Sequence, residues 1–144
     1  MIGIIVSGHG LFAQGMESAM TLIGGKPEKF FAIDFLEGET TELLEDRFKE
    51  ALAALSDCNG VIMCTDLAGG SPFKSACIVS QGMDNVHVLA GTNLPMLIEL
   101  NLSRQFADDV KQLADNTVTT GKDQVLRYEY HIKQTESSED EEGI

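Results

Sequence analysis

The run Ile4-Ile5-Val6-Ser7-Gly8-His9-Gly10 carries an apolar segment straight into a histidine held between two glycines. A neutral imidazole, with an ordinary pKa of about 6.5, is a competent nucleophile near neutral pH once a neighbour fixes which ring nitrogen carries the proton. The candidate neighbour is Asp66, in Thr65-Asp66-Leu67-Ala68-Gly69-Gly70-Ser71-Pro72-Phe73. A carboxylate that accepts the Nδ1 proton leaves Nε2 free to attack phosphorus and stabilises the ring as it becomes positive. The Gly69-Gly70-Ser71-Pro72 turn reads as the start of a helix, with Ser71 as N-cap and Pro72 at the first helical position. Its close-packed amides and positive helix end suit an anion, and the Ser71 hydroxyl adds a donor. The pattern therefore points to His9 as a phosphoryl acceptor, Asp66 as its orienting group, and Gly69, Gly70 and Ser71 as a phosphate cradle. Ser7, Thr65, Thr92 and Asn93 stand beside these residues and are candidate site-lining groups.

The elements that must bring these residues together can be read from periodicity. Residues 2–6 form a continuous apolar run of the kind buried on both faces of a parallel sheet, and Phe12, Met16, Ala19, Met20 and Ile23 then recur as a helical stripe. Residues 30–35 make a second strand. Thr40 or Thr41 caps a helix whose Leu44, Phe48, Ala51, Leu52 and Leu55 share one face. A third strand spans 61–65, the Ser71 helix stops near Gly82, and a fourth strand covers 86–90. Residues 94 to about 114 read as one or two helices. The last segment, 125–130, alternates Leu126, Tyr128 and Tyr130 against Val125, Arg127 and Glu129, as a half-exposed antiparallel edge strand would. This order predicts an α/β fold, a three-layer sandwich around a mostly parallel sheet. With strand order 2-1-3-4, the first and third strands are adjacent, and His9 and Asp66 face one crevice at the carboxyl end of the sheet.

Composition narrows the function further. The chain has 144 residues, 43% of them hydrophobic, enough for one domain with a real core over residues 1–132. A net charge of −13 disfavours nucleic acid as a partner and favours a protein with a basic face. The acidic run 133–144 reads as a disordered tail. No basic leader or membrane-length apolar stretch is evident, so a cytoplasmic location is expected. Cys58, Cys64 and Cys77 include no CxxC pair and read as reduced thiols, two of them buried. No metal or organic cofactor is called for. There is no GxxxxGK[ST] loop and no GxSxG elbow. A competing reading remains: Gly8-His9-Gly10-Leu11-Phe12-Ala13 fits the dinucleotide fingerprint G-x-G-x-x-G/A through Gly8, Gly10 and Ala13, with Asp34 placed as the ribose-binding acid. His87 and His131 lack comparable surroundings.

Taken together, Gly8-His9-Gly10, Ile33-Asp34-Phe35, residues 65–73 as quoted, and Ala90-Gly91-Thr92-Asn93-Leu94-Pro95-Met96 resemble the IIA domains of the mannose class of bacterial phosphoenolpyruvate-dependent sugar phosphotransferase systems. The resemblance covers roughly residues 1–130. It implies that His9 accepts a phosphoryl group from the carrier protein HPr and passes it to the cognate IIB component, which serves membrane IIC and IID subunits during sugar uptake. It implies the orienting role for Asp66 and a phosphate contact for Ser71. It also implies a homodimer in which the final strand crosses to the partner's sheet. The chain departs from the family in Leu11 and Ala68, where aromatic residues are frequent. The chain stops soon after the last strand, which predicts a IIB partner on a separate polypeptide. Ser7-Gly8-His9-Gly10 with Asp66-Leu67 leans toward members that handle amino sugars such as N-acetylgalactosamine.

Overall fold

β1 (Ile2–His9) is buried along its whole length up to the exposed His9, because both of its faces are covered. The computed structural model describes residues 1–132. β1 lies between β2 (Phe30–Phe35) and β3 (Gly60–Thr65), with β4 (Val86–Leu89) beyond β3, in the parallel order β2-β1-β3-β4. Alternate side chains of β1 enter two separate cores. Ile2, Ile4 and Val6 pack with Met20 of α1 (Phe12–Gly24), Leu97 and Leu100 of α4 (Leu94–Ser103), and Leu113 of α5 (Val110–Asp123). Ile5 turns the other way, to Leu44 and Phe48 of α2 (Thr41–Ala54) and Ala76 of α3 (Ser71–Val79). The expected sandwich and strand order are both present. Thr40 caps α2 by accepting a hydrogen bond from the Leu43 amide at 3.1 Å.

The structure corrects the sequence reading in three places. Helix α5 runs to Asp123, nine residues past the expected end, because its threonines and Gly121 conceal a buried face. Gly121 makes room for Met96 there: a Cβ would stand 2.6 Å from the Met96 sulfur, which would have to shift. Segment 125–130 pairs with no strand among the described residues of the single chain, whose four paired strands are all parallel. Ser71 is the first helical residue of α3, whose N-cap is Gly70, and it makes no side-chain cap bond. Among the cysteines only Cys64 is buried, and burial pushes its thiol up to about 12, while Cys58 and Cys77 are half-buried. The acidic run 133–144 lies outside the described residues. No helix of the described residues is long and apolar enough to cross a membrane.

Arg104, just past α4, is 1% exposed and ties the amino end of the sheet together. One terminal nitrogen donates to the Ile2 and Lys29 carbonyls at 3.0 and 3.1 Å, and the other donates to the Glu28 carbonyl. Burial lowers the pKa of this guanidinium, against weaker support from nearby groups. Truncation to methionine would remove the guanidinium from the buried Ile2 carbonyl and from the Glu28 and Lys29 carbonyls of the turn before β2, of which Lys29 keeps the Ile4 amide. Arg104→Met is expected to lower stability by about 2–4 kcal/mol, the scale for breaking a buried hydrogen-bond network. Urea unfolding measures it, and a loss below about 0.5 kcal/mol would mean that water satisfies those carbonyls instead.

Candidate functional site

The parallel pairing of β1 with β3 sets Ser7 opposite Thr65, so the residues that follow, His9 and Asp66, emerge at the same end of the sheet. Asp66 Oδ2 accepts a hydrogen bond from the His9 backbone amide at 2.8 Å and lies 2.8 Å from the ring Nδ1. One carboxylate oxygen therefore fixes both the strand end and the imidazole. Burial alone would raise the Asp66 pKa. Hydrogen bonds from the His9 amide and ring, the charge of the ring and the Leu67 amide outweigh burial and hold the carboxyl below its ordinary value. The His9 side chain is 49% exposed and that of Asp66 only 15%, which leaves the ring open to a partner while its anchor is shielded.

The third expected component comes to the same place. A Cβ on Gly70 would stand 3.0 Å from His9 Cε1, tighter than an ordinary contact, so the glycine lets the start of α3 sit flush against the imidazole edge. The positive end of α3 thereby faces the ring beside its unanchored nitrogen. Of the first three helical residues, Ser71 and Phe73 carry amides without an intrahelical acceptor, while Pro72 has none to offer. Gly69 takes φ +82°, the left-handed conformation needed to turn from Asp66 into the helix. His9, Asp66, Gly69, Gly70 and Ser71 are thus gathered in one surface site.

The other candidates are near the site but committed to the fold. Ser7 donates to the Ile33 carbonyl at 2.7 Å. Thr65 donates to the Leu89 carbonyl and Thr92 to the Thr65 carbonyl, both at 2.7 Å, which staples the β3 and β4 ends together. Asn93 caps α4 by accepting from the Met96 amide at 3.2 Å and donates to the Gly121 carbonyl at 3.0 Å. The dinucleotide reading loses its acid in the same way. Asp34 is 8% exposed, and its Oδ1 accepts the Gln14 amide at 3.1 Å, so it caps α1 from the neighbouring strand. Gly8 is glycine because a Cβ would fall 2.5 Å from the Phe12 ring, and Ala13 is fully buried.

Sequence reasoning overlooked Phe35. Its ring meets the His9 ring edge-to-face, with centroids 6.0 Å apart and planes at 73°. The signal lies in strand register, which pairs His9 with Phe35 and cannot be read from either segment alone.

An open, doubly wound parallel sheet that presents a carboxylate-anchored histidine beside a helix start defines a histidine-bearing α/β domain. The profile described as "EIIA-man: PTS system fructose IIA component" matches residues 3–118. The chain belongs to this family of sugar phosphotransferase system IIA components. It is 32% identical over 124 residues to the mannose-specific EIIAB component of Escherichia coli K12, covering 86% of this chain and 38% of that protein. It therefore spans about two fifths of the length of that relative. It is 31% identical to the fructose-specific EIIA component of Bacillus subtilis, covering 81% of this chain and 79% of that one. The crystal structure of phosphotransferase system component EIIA from Streptococcus agalactiae superposes with a TM-score of 0.82 at 31% identity, over 88% of this chain and 97% of that one.

Proposed function

We propose that this protein is a phosphoryl carrier in sugar uptake, with His9 Nε2 as the atom that is phosphorylated. The observation that carries the reading is the 2.8 Å contact between His9 Nδ1 and Asp66 Oδ2, which assigns the ring proton to Nδ1 and leaves Nε2 as the nucleophile. Nε2 attacks the phosphorus of a donor phosphohistidine on HPr. The new N–P bond forms as the donor's N–P bond breaks, and the Nδ1 proton stays on the ring against Asp66. The ring becomes cationic and the carboxylate compensates it. The Ser71 and Phe73 amides, the Ser71 hydroxyl and the flush Gly69-Gly70 backbone stabilise the transferring oxygens. Transfer onward to the cognate IIB component reverses these steps, and IIC and IID subunits are reached only through IIB. Such a carrier works in the cytoplasm. Incubation with phosphoenolpyruvate, enzyme I and HPr tests the reading: stoichiometric, acid-labile labelling of the protein is expected, and absence of label would overturn it.

The C-terminal segment favours a homodimer. Val125, Leu126, Tyr128, Tyr130 and Ile132 are all at least 74% exposed, and β4 leaves one edge of the sheet unpaired among the described residues. A partner's segment laid along that edge would bury these side chains and cap the edge. Deletion of residues 125–144 is expected to convert a dimer to a monomer in light scattering, whereas a truncated chain that remains dimeric would place the interface elsewhere.

A further inference from the structure

A single hydrogen bond at Nδ1 fixes one point of an imidazole but leaves its plane free to swing, since χ2 of histidine is a broad torsion. For a ring that is 49% exposed, that freedom would spread Nε2 over positions that do not face α3. Two further contacts bracket the His9 ring. Gly70 closes against Cε1 on one side, and the Phe35 ring lies against it at 73° on another.

Phe35 is itself unusually well placed. It stands opposite His9 in the β1–β2 register, and its carbonyl accepts the Gly10 amide at 2.8 Å, so it grips the chain on the far side of His9 as well. The residues on either side of Phe35 are also fastened. The Leu36 amide donates to Glu39 Oε1 at 2.9 Å, and Glu39 takes the Arg47 guanidinium through two bonds of 3.0 Å. On the other side, Asp34 is held by the Gln14 amide and by Arg47, which donates to its carbonyl at 3.5 Å. The turn is latched from α2 before the ring ever meets the histidine.

Building on the carrier reading above, we infer that Phe35 is a positioning residue for His9, setting the plane of the imidazole so that Nε2 faces the amides at the start of α3. It touches neither phosphorus nor the reacting nitrogen. Its contribution is orientation, where a displacement on the order of 1 Å can cost up to about a hundredfold in rate.

The test uses the full chain with phosphorylated HPr as donor, and compares Phe35→Leu with Phe35→Tyr. Leucine keeps an apolar group of similar bulk but removes the flat ring; tyrosine keeps the ring. Phe35→Leu is expected to lower kcat by roughly 10- to 100-fold with KM within about threefold of wild type. In the unphosphorylated protein, its His9 ring nitrogen NMR signals should move toward those of a freely rotating imidazole. Phe35→Tyr should restore both. The inference is overturned if Phe35→Leu keeps kcat within twofold, if the loss falls in KM alone, or if tyrosine fails as badly as leucine. His9→Ala run alongside separates the two claims: label persisting in that variant would sink the carrier reading, while the His9 ring signals of the wild type and the Phe35 variants still report whether Phe35 fixes the imidazole.

Discussion

Replacement of His9 by alanine is expected to cut labelling from phosphoenolpyruvate through enzyme I and HPr to below about one thousandth of the wild-type rate, since loss of a nucleophile with no substitute has effects of this order or larger. Nothing near the site can take over. His87 lies within β4 and His131 in the exposed segment after α5, neither among the groups gathered around Asp66. The Ser71 hydroxyl shares the site but has no base within its own hydrogen bonding to activate it, and a hydroxyl without such a base is a poor nucleophile. The effect should be confined to chemistry. His9 is half-exposed at a strand end, and its backbone amide still binds Asp66 in the alanine variant, so stability should change by no more than about 1 kcal/mol. Phosphate incorporation and thermal unfolding measured on the same sample separate the two quantities. Residual labelling near wild-type level would move the acceptor to another residue.

Most of this site is legible in the sequence because its parts are local. The β1 run into His9, and the Asp66 to Ser71 turn, each carry their meaning within a few residues, and the parallel order follows from alternating strand and helix patterns. What stays hidden depends on partners far along the chain. Phe35 and His9 are distant in the chain and meet only through strand register. The hydroxyls of Ser7, Thr65 and Thr92 looked available beside the site, yet each is consumed by a carbonyl on a neighbouring strand or loop. Asp34 fitted a nucleotide fingerprint by position and is instead a cap for α1. Arg104 sat inside an expected helical stretch, and nothing local announces that its head group reaches the carbonyls of Ile2, Glu28 and Lys29. Segment 125–130 has the alternation of a strand, but alternation describes two faces and does not say whether the edge it pairs with is its own or a partner's.

The division of labour at Asp66 can be resolved by two substitutions. Its Oδ2 accepts two donors, the His9 amide and ring, so the carboxylate both orients the imidazole and answers its charge. In Asp66→Asn the side-chain oxygen must occupy the Oδ2 position, because an NH2 group there would oppose the His9 amide. Orientation and the Nδ1–H tautomer are therefore retained while the negative charge is lost. Asp66→Ala loses both. Removing preorganised electrostatic stabilisation costs on the order of 10²–10³ in rate, so Asp66→Asn should transfer about a hundredfold more slowly than wild type, and Asp66→Ala at least about tenfold more slowly again. The asparagine variant also carries a cost to the fold, since Asp66 Oδ1 is buried without a partner and an amide NH2 would be left there unpaired. The pH dependence has a definite sign. The folded-state pKa of Asp66 lies below its ordinary value, so its contribution to stability is complete above the usual carboxylate range, around pH 4, and is lost as pH falls through the depressed value. The stability gap between wild type and Asp66→Asn should be constant from about pH 5 to 8 and narrow below about pH 4, toward the pH-independent cost of the unpaired amide. Equal transfer rates for the asparagine and alanine variants would show that charge, not orientation, is all that Asp66 supplies, whereas a wild-type rate for either would reduce it to a turn residue.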